Sequence, residues 1–375
     1  MSLVTKKKIG DLFKISKGKK SEEDPRSNIR YIQIDDLRND NNIKLARADL
    51  KNVTCTKLDV LIAWDGANAG TIGYDLEGVI GSTLAKLVLK NDSVNSHYAG
   101  RFLQSKFRYL RDNCTGATIP HISKPSLVNL DIPLPLLEEQ KKIAEILDAA
   151  DSLRQKDKQL VEHYDRLSQS LFLDMFGNLE SNPKQWKIKE FDYFAIIDTN
   201  MTSDFEKYSE LPHIGVANIK KNTGELIDYK LVKDENLKSG KYLFTSDHII
   251  YSKIRPNLNK VATPSFSGLA SADSYPILPN SEKMTKAFLT YILRSEYFLD
   301  FISKHSNRTN IPKANKAQLK QFSCICPPLS LQKDFSEKID GIYKQKTLIQ
   351  QALQKSDALF NSLLQQAFKG ELTNR

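Results

Sequence analysis

Cysteine is scarce: Cys55, Cys114, Cys324 and Cys326 are the only four in 375 residues. They form no CxxC pair and are too sparse for a disulfide framework, which excludes a stapled secreted scaffold and a thiolate zinc site. Cys324 and Cys326 alternate within a short apolar stretch and read as buried strand thiols, and the expected compartment is a reducing cytoplasm. The six histidines (His97, His121, His163, His213, His248, His305) are scattered, with no tight metal-ligand spacing, so no metal site is expected. No run of about 18 apolar residues is present, so no membrane helix is expected. The positively charged start, Met1 to Lys8, has no apolar segment behind it and does not read as a secretory signal.

Catalytic patterns are also missing. No Gly-x-x-x-x-Gly-Lys-Ser/Thr loop occurs, and the glycine-rich Gly66 to Gly73 stretch lacks GxGxxG spacing. An adenine methyltransferase would show an Asn/Asp-Pro-Pro-aromatic motif, whereas Pro327-Pro328 lie between Cys326 and Leu329. Carboxylates such as Asp35 and Asp36 are adjacent, and strand neighbours point to opposite faces. No catalytic residue, resident cofactor or metal is expected.

What is present is positive charge and a repeat. The formal net charge is +10 with 55 Lys and Arg, which favours a polyanionic partner. Setting Pro135 against Pro327, an offset of 327 − 135 = 192, aligns about forty following residues without a gap. Gln140-Lys141 meets Gln332-Lys333, Asp148 meets Asp340, Asp165 meets Asp357, and Phe176 meets Phe368. Backwards, Ile119-Pro120 falls on Ile311-Pro312 and Leu127 on Leu319. The chain is a duplication.

Each repeated segment predicts one long helix. Ile143, Ile146, Ala150, Leu153, Leu160, Tyr164, Leu167 and Leu171 fall on alternating three- and four-residue steps, the spacing of a coiled-coil seam. Phe335, Ile339, Ile342, Ile349, Leu353, Leu359 and Leu363 do the same less regularly. Prolines mark the starts, and Gly177 and Gly370 the stops. Such helices span roughly 60 Å and are expected to pair with each other. His163 then sits on a solvated or partner-facing surface. The segments before each helix are mixed: Tyr31 to Ile34, Leu58 to Trp64, His213 to Val216 and His248 to Tyr251 are strand-like, and Tyr98 to Arg111 and Phe288 to Ser303 helical. The fold class is α+β, two mixed α/β domains with an internal pseudo-twofold repeat: residues 1–134 and 179–326 form the domains, 135–178 and 327–370 the helices.

Helices that match beside domains that diverge imply one kind of partner bound twice. Shared seam leucines need no partner, but Gln140, Lys141, Asp165 and their counterparts Gln332, Lys333, Asp357 are expected to be exposed and partner-binding.

With these residues in view, the chain resembles the specificity subunit of type I restriction–modification systems. Ile9-Gly10-Asp11-Leu12-Phe13 looks like the family's opening. Gly116-Ala117-Thr118-Ile119-Pro120-His121 and the helix opener from Pro133 to Ile143 are similar to its boundary motifs, occurring in order and twice. The second copy departs from the first: Asn310-Ile311-Pro312-Lys313 replaces Thr-Ile-Pro-His, and Leu329-Ser330-Leu331-Gln332 replaces Leu-Glu-Glu-Gln. The resemblance implies two target-recognition domains, each reading half of a split site on double-stranded DNA, held apart by an antiparallel pair of helices. Two modification subunits, carrying S-adenosylmethionine, would dock on the helices; a restriction subunit, with ATP and magnesium, is a further partner.

Sequence reading takes donors and acceptors that reach base edges, with cations on phosphates beside them. In the second domain one loop offers both: Lys253, Arg255 to pair with guanine, and Asn257 or Asn259 to pair with adenine. The aligned loop, Trp64 to Thr71, has glycines that permit close approach, Asn68 as the best base reader, and Thr71. Terminal loops add Thr115, Thr118 and His121 in one domain, and Arg308, Asn310 and Lys313 in the other. Lys17-Gly18-Lys19-Lys20 suits phosphates. Each of these polar residues also reads plainly as part of a solvated turn. The alternative function is a coiled-coil scaffold whose globular domains bind proteins, which calls for apolar, aromatic loops where these are rich in Asn, Thr, Lys and Arg.

Overall fold

The computed structural model describes residues 5–306 and 312–372. The chain divides into two compact units, Met1–Gln159 with Ile349–Arg375, and Leu160–Leu348. Each unit therefore holds one globular domain and part of each long helix.

In the first unit, an antiparallel sheet runs in the order Phe13–Lys17, Leu84–Leu89, Val60–Ala63, Ile72–Gly73. Val60–Ala63 is buried throughout, as expected of an apolar central strand covered on both faces. A second sheet runs Lys44–Leu45, Arg30–Ile32, Gly78–Ile80, Thr54–Cys55, with Tyr31 paired in parallel to Val79. Helices Ser96–Ser105 and Phe107–Asp112 pack Tyr98, Phe102, Leu103 and Leu110 into the core. Asn95 caps the first by accepting from the Tyr98 N–H at 3.0 Å.

The second unit repeats this order. Ala195–Ile197, Ser274–Pro279, Ile249–Ser252 and Val261–Ala262 form the first sheet. Met201–Thr202, Lys241–Phe244, Gly268–Ala270, Pro212–Ile214 and Lys230–Leu231 form the second, again with one parallel pair, His213 to Leu269. The predicted helix over 288–303 is two, Lys286–Arg294 and Glu296–Ser306, broken at Ser295, and the predicted 98–111 helix breaks likewise at Lys106. Cys324 lies in the strand Ser323–Ile325 and is buried, while Cys326 lies just past it, half-buried.

The long helices are Leu137–Phe176 and Leu329–Lys369. Each ends at a glycine in the left-handed region, Gly177 and Gly370, both at φ +81°. Within the first unit, Ile143, Ala144 and Leu147 share a core with Leu363, Leu364, Ala367 and Phe368. Farther along, Ser356 donates to Asp157 at 2.8 Å and Arg154 lies 3.6 Å from Asp357. Within the second unit, Asp165 pairs with Lys346, and Phe172 packs edge-on to Phe335. Rising numbers on one helix meet falling numbers on the other, so the helices are antiparallel.

The seam is not wholly buried. Ile143 and Ala150 are, but Ile146, Leu153, Leu160 and Leu167 remain 39% to 48% exposed. They recur every seven residues, Ile146 and Leu153 in the first unit and Leu160 and Leu167 in the second, the spacing of one apolar helix face. Adding 192 to each gives Lys338, Gln345, Ala352 and Leu359, so only one helix carries it.

Candidate nucleic-acid interface

In each unit a tight turn joins an inner strand of the first sheet to its edge strand, and the chain at Pro120 or Pro312 is pinned to it. In the first unit the turn is Trp64 to Thr71. The Gly66 N–H donates to the Pro120 carbonyl at 2.9 Å, the Ile122 N–H donates to Trp64, and Asp65 bridges His121. In the second unit the Arg255 N–H donates to Pro312 at 2.8 Å, the Ala314 N–H donates to Lys253, and Ile254 bridges Lys313. Gly66 thus corresponds to Arg255, Asn68 to Asn257, Gly70 to Asn259, and Thr71 to Lys260.

The correspondence extends to backbone conformation. Gly66 and Gly70 have φ of +95° and +94°, and Arg255 and Asn259 have φ of +49° and +48°. A turn that demands two left-handed residues suits glycine, and asparagine tolerates it, but an arginine there is strained. Strain kept at an exposed loop points to function. The Arg255 side chain is exposed and has no hydrogen-bond or ion-pair partner among the described residues. Arg255→Gly is expected to stabilise the second unit by about 1 kcal/mol while weakening DNA binding. Denaturant unfolding checks the first effect and a binding titration the second.

The structure sorts the other expected residues. Asn257 is exposed beside Arg255. Asn259 is 8% exposed, and its Nδ2 donates to the Arg294 carbonyl at 2.8 Å. It is a structural turn residue, which corrects its expected base-reading role. Half-buried Lys253 donates to the Ala272 carbonyl and sits over the Tyr275 ring, and burial lowers its pKa. Lys313 is exposed, 3.7 Å from Asp273. Arg308 and Asn310 lie outside the described residues.

In the first unit, Thr115 and Thr118 are exposed, and Thr115 and His121 exchange backbone hydrogen bonds. The His121 ring meets Asp65 at 2.6 Å, and Lys17 reaches the same carboxylate at 2.6 Å. Burial works against ionising Asp65, but hydrogen bonds from Lys17 and His121 outweigh it and hold its pKa below the usual value. Asn68 is half-buried, and its Oδ1 accepts from Arg38 at 2.8 Å. Arg38 lies thirty residues away and carries no motif, so only the fold brings it here. Asp35 and Asp36 lie on a short 3-10 helix, not a strand, and Asp36 is buried against Arg30.

Where the first domain meets the long helices, charge is concentrated. Arg101, 4% exposed, is 2.8 Å from both Asp148 and Asp151. Tyr74 and His97 complete the Asp148 shell at 2.8 Å each. Desolvation opposes ionisation of Asp148 and Asp151. Hydrogen bonds from His97, Tyr74 and Arg101 to Asp148, and from Arg101 and Arg154 to Asp151, outweigh it and hold both pKa values below the ordinary 3.8. The hydrogen bond to Asp148 raises the pKa of His97 above 6.5. The carboxylates' contribution to stability is therefore present above about pH 3.8 and lost as pH falls through their lowered values. That of His97 is complete below about 6.5 and lost as pH rises through its raised value. His97→Asn is expected to remove the alkaline-side loss and to reduce the acid-side one without abolishing it, because Tyr74 and Arg101 still hold Asp148, as read by unfolding free energy against pH.

Residues 1–163 and 183–356 match the family described as the Type I restriction modification DNA specificity domain. The chain belongs to this family. The specificity-subunit chain is 29% identical to the Type I restriction enzyme EcoDI specificity subunit of Escherichia coli, over 72% of its own length and 69% of the relative's. It is 28% identical to the MjaVIII specificity subunit of Methanocaldococcus jannaschii, over 93% and 89%. Its fold is similar to the crystal structure of the S subunit of a type I system from M. genitalium, with a TM-score of 0.66 at 16% identity, covering 98% and 97% of the two chains.

Two of the specificity-subunit residues expected to bind partners are structural. Gln140 is 1% exposed: its Oε1 accepts from the Asn95 N–H at 2.9 Å and its Nε2 donates to Ser93 and Pro135. Gln332, 0% exposed, does the same with Thr285, Lys283 and Pro327. The repeated glutamine ties the domain to the start of the long helix, which corrects its expected docking role. Lys141 and Lys333 are exposed, and Lys141 pairs with Glu138. Asp165 and Asp357 face Lys346 and Arg154 across the helix pair. Among the described residues no group of His, Cys, Asp or Glu is arranged to hold a metal, and no helix is long and apolar enough to cross a membrane.

Proposed function

We propose that this specificity subunit is the non-catalytic DNA reader of a type I complex, each domain recognising one half of a split site. The observation that carries this reading is the repeated turn. Two homologous units hold the same turn with two left-handed positions, pinned at corresponding points to the chain at Pro120 or Pro312, yet present different polar side chains. A shared frame with divergent donors suits two different half-sites. The site residues are Thr71, Thr115, Thr118 and His121 in one unit, and Lys253, Arg255, Asn257 and Lys313 in the other.

The long helices set the spacing of the half-sites and dock two modification subunits, which bring S-adenosylmethionine; restriction subunits bring ATP and magnesium. The stripe of Ile146, Leu153, Leu160 and Leu167 supports docking, because exposed apolar residues at heptad spacing suit a partner protein. Lys141 and Lys333, exposed near the helix starts, supply charge for docking, while Asp165 and Asp357 are engaged across the helix pair. Leu153→Asp with Leu160→Asp is expected to abolish co-purification with the modification subunit; full recovery of the complex would remove the stripe from the account. Inserting two helical turns between Ala150 and Leu160, with facing residues in the second helix around Leu353, lengthens the preferred spacer. An unchanged spacer would contradict that role. A scaffold that binds only proteins would show no salt-dependent DNA affinity, whereas the proposed reader loses affinity by a slope of about −0.9 per phosphate neutralised.

A further inference from the structure

We propose that Arg38 is the base-contacting residue of the first unit's turn, with Asn68 and Thr71 as its positioning residues. This deepens, and rests on, the reading of that turn as a DNA-contacting surface. The placement begins with Asp36, buried, which accepts from Arg30 Nη2 and from the Gln33 N–H, each at 2.8 Å. That fixes the 3-10 helix Asp35–Leu37. Leu37 presses on Gly73 so closely that a Cβ there would lie 2.8 Å from its Cδ2. The next residue, Arg38, therefore emerges beside the turn.

Arg38 Nη2 donates to Asn68 Oδ1 at 2.8 Å and to Thr71 Oγ1 at 3.3 Å. The Thr71 hydroxyl spends its hydrogen on the Asn68 carbonyl at 2.9 Å, which leaves its oxygen to accept from Arg38. Nε and Nη1 of this exposed guanidinium have no partner among the described residues. Asn68 Oδ1 has a second lone pair, but its bond to Arg38 commits the half-buried amide to holding the guanidinium. Its expected role passes to Arg38.

The second unit carries its free guanidinium on the turn itself, at Arg255. Its own 3-10 helix, Val216–Asn218, is followed by the buried Ile219. There Lys260, at the place of Thr71, reaches back to the Val216 carbonyl at 2.7 Å. The same two elements are joined in both units by a cation running in opposite directions, and each unit presents at its turn an exposed guanidinium with N–H groups that have no partner among the described residues. A group that only donates matches an edge that only accepts, which in the major groove is guanine N7 and O6.

The test maps methylated motifs in cells carrying the wild-type chain, Arg38→Ala, Arg38→Lys, Asn68→Ala or Arg255→Ala, alongside binding of the purified complex to single-base variants of the motif. Arg38→Ala is expected to relax one guanine position in one half-site, with roughly ten- to hundredfold less discrimination. The spacer and the other half-site stay intact. Asn68→Ala relaxes the same position less, and Arg255→Ala relaxes a position in the other half. An unchanged motif with Arg38→Ala overturns the proposal. So does uniform weakening at every position with a salt slope lower by about one, the signature of a phosphate contact. Should Arg38→Ala abolish methylation, the binding panel separates the same outcomes. A wild-type chain that directs no split motif overturns the DNA-reading function itself, whereas a retained motif insensitive to Arg38 overturns only this assignment.

Discussion

Arg101→Met is expected to destabilise the first unit by about 3–5 kcal/mol. The guanidinium is 4% exposed and bonds Asp148 through Nε and Asp151 through Nη1, each at 2.8 Å. Methionine fills similar volume but leaves two carboxylates with less charge to face them, so the cost is that of unpaired buried charge rather than of a cavity. Arg101 also stands over the Phe360 ring at 5.4 Å, with Arg154 over the same ring at 4.5 Å, and part of that cation–π attraction is lost too. Hydrogen exchange along Ser96–Ser105 and denaturant unfolding measure the effect. A change below about 1 kcal/mol would show that Arg154 on Asp151, with His97 and Tyr74 on Asp148, already satisfies both aspartates. The second unit is built differently. Counting from the caps Asn95 and Thr285, Arg101 corresponds to Tyr291, which stacks on Phe172 at 4.1 Å and 10°. Tyr291→Ala is therefore expected to act through lost packing, with little dependence on pH.

Gln332→Ala is expected to cost about 3 kcal/mol, and Gln140→Ala nearly as much. Each amide satisfies one backbone N–H and two backbone carbonyls from chain segments about fifty and five residues away. Truncation leaves those groups buried without partners, at about 1–3 kcal/mol for each that water cannot reach. The informative companion is Gln332→Glu, which keeps the acceptor for the Thr285 N–H but turns a carboxylate towards two carbonyls. It is expected to be at least as damaging as alanine. If the glutamate variant unfolds like the parent in denaturant, the glutamine is not the tie between domain and helix.

These residues show where the sequence was legible. The 192-residue offset exposed the duplication and both helices, because seam spacing and terminal glycines are local signals. It matched Gln140 to Gln332 correctly, but burial has no local signature in a polar side chain, so a packing constraint looked like a docking one. The seam leucines have the converse problem. Period alone does not say which of two apolar stripes meets the sister helix, and Ile146, Leu153, Leu160 and Leu167 proved exposed. At the turn proposed to read DNA, the loops and Arg255 were visible because a glycine-rich segment aligned with a polar one. Arg38 was not, since its contact with Asn68 depends on a 3-10 helix packed against a strand far along the chain. Asn259 misled for the same reason: its left-handed backbone and its bond to Arg294 are properties of the folded turn.

The most direct test of the central claim is a map of adenine methylation across the host genome, with and without this gene. The account predicts that deletion removes methylation at one split motif, two short defined halves around a fixed unread spacer, and that re-expression restores it. A methylome identical in the two strains, with the modification subunits present, would contradict it.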